Sequence, residues 1–128
     1  MSTIAVVEDE VPIRDLLAVI LRRAGYRVVT AADGLAALEM IARERPDVAL
    51  IDVMMPGLDG PEVALRLRAD LETAQIPIVL ISAGLISPLP PGIVAFVRKP
   101  FDVQPLLDLL VSILTPKPGS TATPPSDT

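Results

Sequence analysis

Short apolar runs alternate along the chain with segments whose apolar residues recur at helical spacing. Ile4 to Val7 is the first run, and Glu8-Asp9-Glu10 closes it. Ile13, Leu16, Leu17, Ile20, Leu21 and Ala24 then recur at three- and four-residue steps, which predicts an amphipathic helix with Gly25 as its stop. Val28-Val29 marks a second strand. Asp33-Gly34 is a cap for a second helix, with Leu35, Leu38 and Ile41 or Ala42 facing inward. Pro46-Asp47 breaks that helix, and Val48 to Ile51 form a third strand. Gly60-Pro61-Glu62 opens a third helix, since proline is tolerated in a first turn, and Val63, Leu67 and Leu71 form its inner stripe. Ile76 to Ile81 and Ile93 to Val97 are the fourth and fifth strands, and Asp102 to Leu114 is a last helix.

Strands that are apolar on both faces and alternate with helices predict a parallel sheet covered on both sides. Right-handed crossovers make it a doubly wound α/β domain, whose functional crevice lies beyond the carboxyl ends of the strands. The domain is expected to fill residues 1–115. Residues 116–128 form a Pro/Ser/Thr-rich tail with too little apolar content to pack, expected to be disordered. The chain contains no internal repeat.

Composition narrows the chemistry. With 128 residues the chain can bury a core, and 51% hydrophobic but 2% aromatic content makes that core aliphatic. There is no cysteine and no histidine, which excludes disulfides, thiolate or imidazole metal sites, and imidazole acid–base catalysis. A net charge of −5 argues against a nucleic-acid surface. No apolar run approaches the roughly 20 residues of a membrane span, and no secretion signal opens the chain, so a cytoplasmic protein is expected.

The predicted strand ends carry a distinctive set of side chains. Glu8 and Asp9 follow the first strand, Asp52 ends the third, Ser82 the fourth, and Lys99-Pro100 follows the fifth. Each has an ordinary explanation taken alone. The acidic run complements a helix dipole, Asp52 forms a turn, Ser82 bonds to backbone, and Lys99 sits in a solvated loop. Their convergence on one rim favours a shared role. Three neighbouring carboxylates repel one another, and a hard divalent cation such as Mg²⁺ relieves that repulsion. A cation also screens Asp52, allowing it to attack an anionic electrophile and form an acyl phosphate, with Lys99 and Ser82 placed to stabilise the phosphoryl oxygens.

In order along the chain, "VVEDE", "LIDVMMPGLDG", "VLISA" and "VRKPF" resemble the motifs of the receiver domain of bacterial two-component response regulators, from about Ile4 to Leu114. The resemblance implies a flavodoxin-like five-stranded parallel sheet of order 2-1-3-4-5. It implies that Asp52 takes a phosphoryl group from the phosphohistidine of a sensor histidine kinase or histidine phosphotransfer protein, and that a downstream protein target reads the result. By the same resemblance Glu8, Asp9, Asp52 and the Met54 backbone carbonyl bind Mg²⁺, Ser82 and Phe96 are the switch, and Lys99 pairs with the phosphate. Pro56-Gly57 and Gly60 match the turn after the phosphoacceptor, and Lys99-Pro100 is expected to be cis.

The chain also departs from that family. Pro88, Pro90 and Pro91 leave little room for a regular helix between the fourth and fifth strands, so the fourth helix is expected to be shortened or missing. From Leu106 to Leu114 only Asp108 and Ser112 are polar, so the last helix either packs under the altered loop or exposes a homodimer or partner surface. Met54 and Gly84 offer no side-chain hydrogen bond to a hydrolytic water, which predicts slow self-dephosphorylation. No enzymatic activity beyond self-catalysed phosphoryl transfer is expected. An aspartyl-nucleophile phosphatase usually carries a second aspartate where Met54 stands. A degenerate receiver acting as a phosphorylation-independent interaction module is the alternative reading. The short polar tail leaves a stand-alone receiver or a piece of a larger hybrid protein.

Overall fold

Burial of consecutive side chains on both faces makes Val48–Asp52 a central strand: all five of its residues are buried. The structure is a computed structural model and describes residues 1–84 and 92–115. Its strands are β1 (Thr3–Val7), β2 (Arg27–Ala31), β3 (Val48–Asp52), β4 (Ile78–Ser82) and β5 (Ile93–Arg98). Its helices are α1 (Val11–Arg23), α2 (Gly34–Glu44), α3 (Gly60–Ala69) and α4 (Val103–Leu114). The five strands form one parallel sheet in the order β2-β1-β3-β4-β5. This is the doubly wound α/β architecture that the alternating pattern predicts.

Strand alternation divides the aliphatic core into two layers. Ala5, Val7, Ala49, Ile51, Ile78 and Leu80 face α2 and α3, meeting Ala37, Met40, Ile41, Val63, Ala64 and Leu67. Ile4, Val6, Val48, Leu50, Val79 and Ile81 face α1 and α4, meeting Leu17, Ala18, Leu21, Leu106 and Leu110. Burying one such aliphatic side chain contributes about 1.5–3 kcal/mol, so the two layers hold the sheet edge in place. Two helix starts are capped by side chains. Ala36 N–H donates to Asp33 Oδ1 at 2.8 Å, and Glu62 N–H donates to Asp59 Oδ1 at 3.0 Å.

Several expected inner positions lie outside the core. Leu16 and Leu35 are 53% and 64% exposed, and Ala24 is exposed too. On α2, Ile41 of the two alternatives is the buried one and Leu38 packs half-buried against the core, while Ala37 and Met40 complete the inner stripe in place of Leu35. Leu71 is 93% exposed because α3 ends before it. There Glu72 N–H donates to Asp70 Oδ1, and the buried Thr73 hydroxyl donates to the Leu67 carbonyl at 2.7 Å. The fourth strand begins at Ile78, not Ile76.

Residues 83–92, ten in all, connect β4 to β5. That is shorter than the dozen or more residues of a helical crossover. Among the described residues four helices accompany the five strands, consistent with a shortened or missing fourth crossover helix. The proline cluster at Pro88, Pro90 and Pro91, and the tail at 116–128, lie outside the described residues. On α4, Leu106 and Leu110 are buried against the sheet while Val103 and Val111 are exposed. Among the described residues no helix is long and apolar enough to cross a membrane.

Candidate functional site

The carboxyl ends of β1, β3, β4 and β5 lie side by side. Val7 pairs with Ile51, Asp52 with Ile81, and Ser82 with Arg98. The residues at or just past these ends are Glu8, Asp9, Asp52, Ser82 and Lys99, all on one rim as expected. Carboxylate oxygens of Glu8, Asp9 and Asp52 lie within 4.8 Å of one another. Glu8 and Asp52 are buried, and Asp9 is half-buried. Lys99 Nζ reaches into the group, 3.0 Å from Glu8 Oε1, 3.3 Å from Asp52 Oδ1 and 4.0 Å from Glu10 Oε1.

The charges are unevenly balanced. Burial raises the Glu8 carboxyl above its ordinary value, and the Asp52 charge adds to the rise, while Lys99 and the Glu10 amide oppose it. Burial on its own lowers the Lys99 ammonium, but Glu8 and Asp52 outweigh it and the net displacement is upward. Glu8 Oε1 is buried and has no hydrogen-bond partner among the described residues; its 3.0 Å contact with Lys99 is an ion pair without hydrogen-bond alignment. Three converging carboxylates, more charge than the one ammonium beside them balances, suit a hard cation with oxygen ligands, and Mg²⁺ fits that donor set.

The loop after Asp52 is tightly packed. Val53 N–H donates to the Ile81 carbonyl at 2.8 Å, and Gly60 N–H donates back to the Val53 carbonyl at 3.0 Å. Gly57, at φ +76°, takes the left-handed conformation that closes the turn. Gly60 is required for space: a Cβ there would lie 2.5 Å from the Asp52 carbonyl oxygen. Met54 is 73% exposed at the mouth of a groove of about 450 Å³ that Val53, Met55, Pro56 and Asp59 also line.

On the opposite side of the rim, Ser82 is buried. Its Oγ accepts from Gly84 N–H at 3.0 Å and its carbonyl accepts from Lys99 N–H at 2.8 Å. The Lys99-Pro100 peptide is cis. Phe96 is half-buried on β5, opposite Leu80, and packs against the core layer of α2 and α3. One rim residue escaped the sequence reading. Arg14, in α1, donates from Nη1 to the Glu8 main-chain carbonyl at 2.8 Å. Its only signal in the sequence is a cation near the start of a helix, where the dipole disfavours one.

Sheet order and rim together define a flavodoxin-like domain with an acidic, lysine-bridged pocket at the strand ends. The family model described as "Response regulator receiver domain" matches residues 4–111, and the chain belongs to that family. Among curated proteins it is 37% identical over 118 residues to the phosphate regulon transcriptional regulatory protein PhoB of Pseudomonas aeruginosa, covering 88% of this chain and 52% of that protein. The chain spans about half the length of such relatives. Two solved structures share the fold closely. The receiver domain of sensor histidine kinase PA1611 from Pseudomonas aeruginosa, with a magnesium ion coordinated in its active-site cleft, has a TM-score of 0.82 at 30% identity, covering 88% of this chain and 97% of that one. Response regulator TrrA from Thermotoga maritima, in complex with Mg²⁺ and BeF, has a TM-score of 0.82 at 32% identity, covering 89% and 100%.

Proposed function

We propose that this receiver domain is the phosphoacceptor of a two-component phosphorelay, with Asp52 as the residue that takes the phosphoryl group. The observation that carries the proposal is the convergence of Glu8, Asp9 and Asp52 within 4.8 Å, with Lys99 bridging Glu8 and Asp52. The magnesium-bearing pocket of a relative with the same fold supports Mg²⁺ as the cofactor. Glu8, Asp9, Asp52 and the Met54 carbonyl would hold it, and when bound it would neutralise charge between the phosphoryl group and the carboxylates. Asp52 attacks the phosphorus of a phosphohistidine on a sensor kinase or histidine phosphotransfer protein. The phosphorus–nitrogen bond breaks and the electron pair leaves with the imidazole, giving an acyl phosphate.

Lys99 then exchanges its contacts with the carboxylates for a phosphoryl oxygen. The Ser82 hydroxyl, whose Oγ accepts from Gly84 in this state, turns to donate to another. That movement frees space for Phe96, which carries no hydroxyl and signals through packing alone. Met54 and Gly84 leave the hydrolytic water without a side-chain partner, so self-dephosphorylation is slow and no other enzymatic activity is part of the proposal. The protein acts in the cytoplasm, and its output is a change in the affinity of a protein partner.

Beryllofluoride, a phosphoryl mimic, tests the switch. With Mg²⁺ it is expected to shift the amide resonances of Asp52, Ser82, Phe96 and Lys99 together. A spectrum unchanged by the mimic and Mg²⁺ would remove the basis of the proposal.

A further inference from the structure

The Glu8 main-chain carbonyl, just before Asp9, is held by a side chain: Arg14 Nη1 donates to it at 2.8 Å. Arg14 N–H meanwhile closes the first turn of α1 on the Glu10 carbonyl at 2.9 Å, a backbone bond that any residue there would make. Glu8 N–H continues the sheet ladder to Ala31, but Glu10, the first residue before α1, makes no side-chain cap. Its amide instead donates to Glu8 Oε2 at 3.2 Å, which leaves Oε1 to face Lys99 Nζ at 3.0 Å.

We infer that Arg14 is a positioning residue for the divalent-cation site, its guanidinium tying the Glu8 carbonyl to the first turn of α1 so that the Glu8 and Asp9 carboxylates converge before the ion arrives. A guanidinium so close to a helix N-terminus opposes the helix dipole, so dipole stabilisation does not account for its placement. A hydrogen bond from a charged donor to a carbonyl, half-buried as this one is, is among the stronger kinds and is directional. Arg14 itself offers no oxygen to a cation, and its positive charge repels one. Its contribution is therefore geometric, and geometry and charge predict opposite signs on removal.

This inference rests on the proposed Mg²⁺ site, and the test separates the two. Isothermal titration of the unphosphorylated chain with Mg²⁺ alone is performed on the native protein and on Arg14→Met, Arg14→Gln and Arg14→Lys. Methionine keeps the bulk without a donor, and glutamine is polar but too short to span to the Glu8 carbonyl. Both are expected to bind Mg²⁺ about tenfold more weakly, as when a partner that orients a metal ligand is lost. Lysine keeps a charged donor and is expected to restore most of the affinity. At saturating Mg²⁺ the rate of phosphorylation by a small phosphodonor is expected to return to the native value in every folded variant. Tighter or unchanged Mg²⁺ binding in the methionine and glutamine variants would overturn the clamp and leave Arg14 a charge alone. A rate still depressed at saturating Mg²⁺ would overturn it as well. Absence of Mg²⁺ binding by the native chain would overturn both the site and the clamp. Should the methionine variant not fold, the glutamine variant decides by the same sign.

Discussion

Replacing Gly60 with alanine places a methyl group against the backbone that carries Asp52, the proposed phosphoacceptor. The added Cβ would sit 2.5 Å from the Asp52 carbonyl oxygen, 2.9 Å from Val53 Cα and 3.1 Å from the Asp52 carbonyl carbon. All three are main-chain atoms, and none can turn aside as a side chain would. Either the start of α3 lifts away, or β3 and its loop retreat and carry Asp52 with them. Overpacking of this kind costs about 1–3 kcal/mol. Alanine's better helix propensity returns less than about 1 kcal/mol at a first-turn position. The net expectation is a loss of about 1–2 kcal/mol and a fall in melting temperature of about 5–10 °C. Urea denaturation measures the stability, and phosphodonor uptake by the folded variant measures the site. Gly84 is the control: a Cβ there meets only Ser82 Oγ at 3.9 Å. Gly84→Ala should stay within about 0.5 kcal/mol of native. A Gly60→Ala protein as stable as the native chain, with unchanged uptake, would refute the close-packing argument.

Other consequences are separable. Leu50 is fully buried between β1 and β4, and Leu50→Ala is expected to lose about 2–5 kcal/mol in urea denaturation. Mg²⁺ at a hundredfold excess over its dissociation constant should stabilise the native chain by about 2.7 kcal/mol, and Asp9→Asn should lose most of that gain in a thermal melt. Arg27 and Arg43 hold the Glu44 carboxyl below its ordinary value of 4.5. Its contribution is therefore present above pH 4.5 and lost as pH falls through the lower folded value, so Glu44→Gln should flatten that part of the acid limb and added salt should do the same. Met54→Asn gives the hydrolytic water a polar side chain and is expected to shorten the phosphoryl lifetime, read by intact mass over time; an unchanged lifetime would sink the slow-hydrolysis proposal.

Much of this fold was legible because parallel strands buried on both faces leave unbroken aliphatic runs. Val48–Ile51 reads as a strand in the sequence and is one in the structure. The rim was legible for a related reason: a charged residue that ends such a run has to sit at the sheet's edge. Helix faces were less so. Leu16 and Leu35 continue their helices' apolar stripes but fall at the margin, where the sheet no longer covers them. Leu71 keeps the four-residue step of α3 after the helix has ended, because the stop is marked by a hydrogen bond that the Glu72 amide donates to the Asp70 side chain, invisible to periodicity. Arg14 was missed for the same kind of reason. Its partner is a main-chain carbonyl six residues back, and no pattern of side chains records that.

The proposed phosphoacceptor, Asp52, admits the most direct test. The native chain, Asp52→Asn and Lys99→Ala are incubated with Mg²⁺ and a small phosphodonor such as acetyl phosphate, and their intact masses are compared. The expected result is a gain of one phosphoryl group on the native chain, abolished by chelating the Mg²⁺ and absent in Asp52→Asn. No gain on the native chain, or an equal gain on Asp52→Asn, would contradict the assignment.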